Sequence, residues 1–115
     1  MQQPLIPLND GHKIPQLGLG VWQIPDHQAP LLIGRALEEG YGLVDTAASY
    51  GNEAGVGRAV RSARQAGRSV FVTTKLAIED QGYDTALRGF DRSLARLGLD
   101  AVDLYLIHWP EPSRN

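Results

Sequence analysis

The chain of 115 residues contains no cysteine, so it can form neither disulfides nor thiolate metal sites. Its formal net charge of −2 provides no basic surface for nucleic acid or an anionic membrane. No apolar run approaches the ~20 residues of a transmembrane helix. The opening MQQPLIPLNDGHK lacks the charged and apolar regions of a signal peptide. These absences predict a soluble, cytoplasmic, single-domain protein that binds neither nucleic acid nor membranes.

Turn residues and hydrophobic spacing divide the sequence into a hairpin followed by alternating strands and helices. The segment LIPLNDGHKIPQ predicts a β-hairpin with Asp10 and Gly11 in its turn. Three apolar stripes with helical spacing begin at Ala29, Val56 and Leu87. Strands are expected before, between and after these helices, at residues 17–22, 43–45, 69–75 and 101–109.

The helix boundaries are predicted from capping residues. Asp26 and Asp84 are expected to cap the first and third helices. Pro30 suits a first helical turn, and Gly40 and Gly98 follow the ends of these two helices. The second helix is expected to stop near residue 67.

The order βαβαβαβ after the hairpin predicts an α/β fold with a parallel sheet and right-handed crossovers. Three of the predicted strands carry an ionisable residue at or next to their last position, Asp45, Lys75 and His108, and these are spaced about one βα unit apart. Because parallel strands align their carboxyl ends, these side chains and the nearby Tyr50 are expected at one edge of the sheet. Chemistry in α/β folds occurs at that edge.

Each of these residues has an ordinary structural explanation when it is considered alone. Asp45 could cap a turn, Lys75 could be a surface charge and Tyr50 a packing residue, while His108 could be a core histidine. Their common location favours catalysis instead. A lysine buried at the edge of a sheet needs a partner such as Asp45. An ammonium beside a phenol stabilises the phenolate, which makes Tyr50 a usable general acid.

The segments GYGLVDTAASYGNEAGVG, VTTKL and SLARLGLDAVDLYLIHWP resemble the first half of an aldo-keto reductase. The resemblance covers essentially the whole chain and is greatest to the bacterial branch that includes the 2,5-diketo-D-gluconate reductases. It implies the amino-terminal half of a (β/α)8 barrel preceded by a hairpin. It also implies that Asp45, Tyr50, Lys75 and His108 form the catalytic tetrad.

The resemblance implies reduction of aldehydes or ketones, including keto sugar acids, by hydride transfer from NADPH. Tyr50 would protonate the carbonyl oxygen, Lys75 paired with Asp45 would tune Tyr50, and His108 would orient the substrate. The residues expected at the nicotinamide end of the cofactor are Gly20, Val21 and Asp45. The residues expected to contact the substrate are Trp22, Tyr50, His108 and Trp109. No metal site is expected.

Two positions depart from the family pattern. Gly42 stands where arginine is usual, which should weaken a contact at the end of the barrel. Ala77 stands where tryptophan is frequent, which should widen or reshape the substrate pocket. A barrel of this type also needs about 250 residues. Residues 1–115 are therefore expected to lack most of the cofactor site and to be inactive alone. The full-length form is expected to be monomeric, whereas the fragment could self-associate through exposed strand edges.

Two other functions compete with this one. A half-barrel without activity could serve as an assembly or interaction module. A metal hydrolase would need clustered ligands, whereas His12 and His27 lie apart and form no HxH pair. The glycines at 18–20 do not form a GxGxxG dinucleotide fingerprint, because the third glycine is absent.

Overall fold

The computed structural model describes residues 3–114 and begins with the predicted hairpin. Strands β1 (Leu5–Pro7) and β2 (Lys13–Pro15) pair antiparallel, with Ile6 opposite Ile14. In the turn, the Asp10 carboxylate accepts a hydrogen bond of 2.9 Å from the His12 N–H, and Gly11 has a φ of +89°. The His12 N–H is also the main reason why the pKa of Asp10 is lowered. The hairpin prediction is confirmed.

Four further strands form one parallel sheet in chain order, which confirms the predicted α/β class. They are β3 (Gly18–Gly20), β4 (Leu43–Asp45), β5 (Phe71–Leu76) and β6 (Leu104–Ile107). The helices are α1 (Ala29–Glu38), α2 (Glu53–Gln65) and α3 (Tyr83–Leu97). Strands β3 and β6 are shorter than predicted. A turn closed by the Ile24 N–H and the Val21 carbonyl follows β3 directly.

Two predicted helix caps are wrong. The N-cap of α1 is Gln28, and Asp26 instead accepts a hydrogen bond of 2.7 Å from the Gly55 N–H at the start of α2. Asp84 lies inside the first turn of α3, because this helix already begins at Tyr83 and is entered through Gly82. The predicted stop at Gly98 is confirmed, since this residue has a φ of +66° in the C-cap position.

The core lies between the sheet and the inner faces of α1 and α2. The apolar stripe of α2 is buried as predicted, including Val56, Ala59, Val60 and Ala63. In α1 the buried face consists of Ala29, Ile33 and Leu37. It is narrower than the predicted stripe, which also included Leu32 and Ala36. Leu87, at which the predicted stripe of α3 begins, is exposed. No helix within residues 3–114 has the length and apolar character that crossing a membrane requires.

Candidate active site

The carboxyl ends of β4 and β5 lie side by side and bring the predicted acid and lysine together. The strands pair in parallel with Asp45 opposite Thr73, so Lys75 extends one layer further along the same edge. The chain then leaves β4 through a 3-10 turn, Ala48–Tyr50, and reverses at Gly51, which has a φ of +71°. This tight return places Tyr50 over the end of β5.

The Lys75 ammonium is the centre of the site. Its Nζ lies 2.8 Å from the Asp45 carboxylate, 3.0 Å from the Thr46 carbonyl and 3.4 Å from the Tyr50 hydroxyl. The Lys75 side chain is only 13% exposed, and that of Asp45 is 33% exposed. An ammonium has three N–H groups, and each has an oxygen within reach. The predicted proximity of these three residues is confirmed, whereas their roles in catalysis stay predictions.

His108 completes the group on the same rim. Its ring lies 5.5 Å from the Tyr50 ring, centroid to centroid, at an interplanar angle of 81°. The His108 N–H donates to the Leu76 carbonyl at 3.2 Å, which ties the residue to the end of β5. The geometry therefore offers a phenol beside a cation and an imidazole facing that phenol. Such a site can donate a proton to an oxygen bound between the two rings.

The predicted substrate residues Trp22 and Trp109 both present large apolar surfaces, being 67% and 64% exposed. The Trp109 ring stacks on His108 with centroids 6.4 Å apart. Of the predicted cofactor residues, Gly20 pairs with Asp45 and has open space where a side chain would be. Val21 is fully buried, and its N–H donates to the Asp45 carbonyl at 3.1 Å. Its side chain therefore belongs to the core.

Two buried polar residues after Tyr50 were not predicted to matter. Asn52 is fully buried and hydrogen-bonds the Thr46 hydroxyl and the carbonyls of Val21 and Ile24. The next residue, Glu53, is also buried. The consecutive pair of polar residues, Asn-Glu, immediately before an apolar helical stripe was the available sequence signal.

Glu53 joins three elements below the rim. One carboxylate oxygen accepts a hydrogen bond of 2.7 Å from the Thr74 hydroxyl in β5. The other oxygen lies 2.7 Å from the Arg96 guanidinium of α3. Because Thr74 is the neighbour of Lys75 in β5, this network supports the strand that carries the lysine.

The two departures from the family pattern have visible consequences. A side chain at Gly42 would meet the Gln3 amide at 3.0 Å and Pro15 at 3.3 Å, so glycine lets the hairpin pack closely on this end of the sheet. Ala77 is buried and lines a cleft of about 420 Å³ together with Gly51, Asp80 and Arg96. The small side chain thus leaves room beside the turn that carries Tyr50.

The metal-hydrolase alternative would require clustered ligands. His12 lies in the hairpin turn and contacts Asp10 at 3.1 Å. Residues 3–114 contain no group of three or more histidine, aspartate or glutamate side chains that could hold a metal ion.

Residues 16–115 match the model of the aldo/keto reductase family, and the chain belongs to that family. It is 52% identical over 114 residues to a morphine 6-dehydrogenase of Pseudomonas putida, which covers 99% of this chain and 38% of that protein. The chain spans about two fifths of the length of the curated relatives that it matches.

Solved structures show the same relationship. The crystal structure of an aldo/keto reductase from Brucella melitensis is 52% identical and matches with a TM-score of 0.88, covering 96% of this chain and 43% of that one. The aldo-keto reductase of Bombyx mori in complex with NADP is 36% identical with a TM-score of 0.88. That match covers 100% of this chain and 42% of the other.

Proposed function

We propose that this chain forms the catalytic rim of an NADPH-dependent reductase that converts aldehydes or ketones to alcohols. The observation that carries the proposal is the position of the Lys75 ammonium between the Asp45 carboxylate and the Tyr50 hydroxyl. Membership of the aldo/keto reductase family and the NADP complex of the Bombyx mori relative support it.

The tetrad residues act on the carbonyl oxygen. His108 holds that oxygen near Tyr50 by hydrogen bonding, and Tyr50 donates its proton to it as negative charge develops there. Lys75 stabilises the resulting phenolate, and Asp45 holds the ammonium in place. The hydride for the carbonyl carbon is supplied by bound NADPH. The product is an alcohol, and the phenolate regains its proton from solvent.

The residues present fit the nicotinamide end of such a cofactor. Gly20 lies opposite Asp45 in the sheet and has open space on its exposed side, so a flat ring can approach the backbone there. Asp45 is accessible enough to contact a ligand. Val21 contributes by shaping the core behind Gly20. The remaining cofactor contacts would come from the part of the family's barrel that residues 1–115 do not span.

The substrate pocket would be walled by Trp22 and Trp109. The cleft that Ala77 lines contains neither tryptophan nor any of the four tetrad residues, so it is separate from this pocket. Keto sugar acids, the substrates of the 2,5-diketo-D-gluconate reductase branch, are one proposed class. The relative named morphine 6-dehydrogenase suggests bulkier alcohol and ketone pairs for the same pocket. Comparing turnover of a keto acid with that of a polycyclic ketone distinguishes the two classes.

The proposal is tested in a completed barrel, in which residues 1–115 replace the equivalent part of the Brucella melitensis reductase. This protein should oxidise NADPH in the presence of an aldehyde. The Tyr50→Phe variant removes only the hydroxyl and should lower kcat by about 10²–10⁴. A folded completed barrel without turnover, or a Tyr50→Phe variant with nearly full turnover, would refute the proposed mechanism.

A further inference from the structure

The turn between β3 and α1, residues 21–24, has a backbone that needs to be held in place. Gln23 has a φ of +69° and is the only residue other than glycine with a positive φ in the described range 3–114. A residue with a side chain adopts this conformation at a cost in free energy and keeps it only where surrounding contacts impose it. The turn exposes Trp22, the predicted pocket wall.

The contacts that impose this turn come from Asn52. Its Nδ2 donates to the Val21 carbonyl at 2.9 Å and to the Ile24 carbonyl at 3.0 Å, on both sides of Gln23. Its Oδ1 accepts a hydrogen bond of 2.7 Å from the Thr46 hydroxyl. The amide is fully buried. All of its hydrogen-bonding groups are therefore committed to joining the turn with the end of β4.

The same end of β4 contacts the proposed catalytic lysine, Lys75 of β5. The Thr46 carbonyl accepts from Lys75 Nζ at 3.0 Å, and the Asp45 carbonyl accepts from the Val21 N–H at 3.1 Å. Asn52 therefore fixes the Trp22 turn relative to the strand end at which Lys75 and Asp45 meet.

We propose that Asn52 is a positioning residue for substrate binding, which locks the 21–24 turn so that Trp22 forms a fixed wall of the carbonyl pocket. This inference rests on the proposed reductase function. Asn52 contacts none of the reacting groups, and Lys75 contacts Asp45 directly rather than through the Asn52 side chain. Its loss should therefore weaken substrate binding much more than it slows the chemical step.

The kinetic test uses Asn52→Ala in the completed barrel. This variant should raise KM for the aldehyde about tenfold while kcat stays within about threefold of the parent. The double variant Asn52→Ala, Gln23→Gly should have a KM between that of the parent and that of Asn52→Ala. Glycine adopts a positive φ without the free-energy cost that the Asn52 hydrogen bonds offset in the parent. A loss of kcat with unchanged KM, or no recovery with glycine, would overturn the proposal.

Ser93→Ala provides the matched control. Ser93 is also fully buried, and its hydroxyl accepts a hydrogen bond of 3.3 Å from the Arg96 guanidinium within α3. This variant should lower stability without changing KM. If Ser93→Ala and Asn52→Ala raise KM equally, the effect is general destabilisation and the inference is wrong.

Hydrogen exchange gives a readout that needs no activity. In the completed barrel, Asn52→Ala should accelerate exchange of the peptide covering residues 21–28, including the Ile24 N–H, more than exchange in β4 or β5. Faster exchange of the turn in a barrel without turnover would refute the proposed function while supporting the anchoring by Asn52. Normal turnover with unchanged exchange and unchanged KM would refute the anchoring and leave the function intact.

Discussion

Lys75 directs its ammonium toward three oxygens, which belong to Asp45, Thr46 and Tyr50. Only one of the three is a carboxylate. The Tyr50 hydroxyl is the longest and weakest of these contacts, at 3.4 Å. A charge that develops on this oxygen during proton transfer would strengthen that contact, which is how catalysis gains over ground-state binding.

Glu53 and Arg58 give a matched pair of charge deletions. Glu53 is 1% exposed and accepts from Thr74 and Arg96, whereas Arg58 makes an exposed contact of 3.5 Å with Asp26. Glu53→Ala should lower the free energy of unfolding by about 3 kcal/mol, because it leaves a buried hydroxyl and an arginine without their acceptor. Arg58→Ala should cost less than about 1 kcal/mol.

Urea denaturation of the completed barrel measures both changes. Equal losses for Glu53→Ala and Arg58→Ala would show that the buried carboxylate has no special part in joining β5 to α3.

Tyr105 of β6 carries the one buried side-chain polar atom in the described part of the chain that lacks a hydrogen-bond partner, its hydroxyl oxygen. The ring packs against Phe90 at 4.8 Å. Tyr105→Phe removes an unsatisfied polar atom and should therefore raise the free energy of unfolding at neutral pH by about 1 kcal/mol.

The same variant should change the stability at alkaline pH. Burial, followed by the charge of Glu53, raises the pKa of Tyr105 above its ordinary value of 10.0. The unfolded chain then loses this proton before the folded one, so stability is fully present below about pH 10 and falls as the pH rises toward the folded pKa. Tyr105→Phe should flatten that fall, and Tyr83→Phe, at an exposed position, should not. If stability falls equally with rising pH in the parent and in Tyr105→Phe, the fall does not come from Tyr105.

At the scale of elements, α2 and α3 cross at a contact that only glycine allows. A side chain at Gly57 would fall on the backbone carbonyl of Leu97, which also accepts a hydrogen bond from Arg61. Since α2 begins at Glu53 with Asn52 as its N-cap, this close contact also fixes the position of these two polar residues below the rim.

Gly57→Ala should therefore destabilise the completed barrel by about 3 kcal/mol, since a backbone atom cannot move aside as a flexible side chain can. Gly34→Ala is the control, because Gly34 lies inside α1 with open space around it. That variant should raise stability by about 0.5–1 kcal/mol. Thermal denaturation compares the two, and a neutral Gly57→Ala variant would mean that the helices can separate at little cost.

The elements also show what local sequence information can predict. The ends of β4 and β5 were predictable, because a periodic βα pattern fixes which strand ends meet. Asp26 was assigned to the wrong helix, because capping preference identifies a suitable residue but not the helix that tertiary packing brings to it. The partners of Asn52 and Glu53 lie in other elements, such as Val21 and Arg96, so no local pattern reveals them.

At the scale of the whole molecule, residues 3–114 form an open sheet. The order β3-β4-β5-β6 leaves β3 and β6 at the edges, each with backbone N–H and carbonyl groups that have no strand partner within the described range. In a closed barrel these edges would be covered by further strands. The chain spans about two fifths of the length of its aldo/keto reductase relatives.

Of the two edge strands, β6 is the one more prone to pair with a strand of another chain. Its segment AVDLYLIHW contains no proline, and Leu106, Ile107 and Trp109 are all exposed. Leaving several such side chains in water forfeits several kcal/mol at about 25 cal/mol per Å² of apolar surface. That loss is comparable with the whole stability of a domain. An open edge of this kind favours association with another chain or with a second copy.

We therefore expect the polypeptide of residues 1–115 by itself to self-associate and to bind NADPH weakly or not at all. Size-exclusion chromatography with light scattering should show oligomers whose size increases with concentration. Ile107→Lys places a charge on the β6 edge and should reduce association, whereas Leu31→Lys, on the exposed face of α1, should not. A cofactor fluorescence titration tests the second part. A monomer at all concentrations that binds NADPH at micromolar levels would show that four strands suffice for a closed and functional unit, which would favour a self-contained module over half of a barrel.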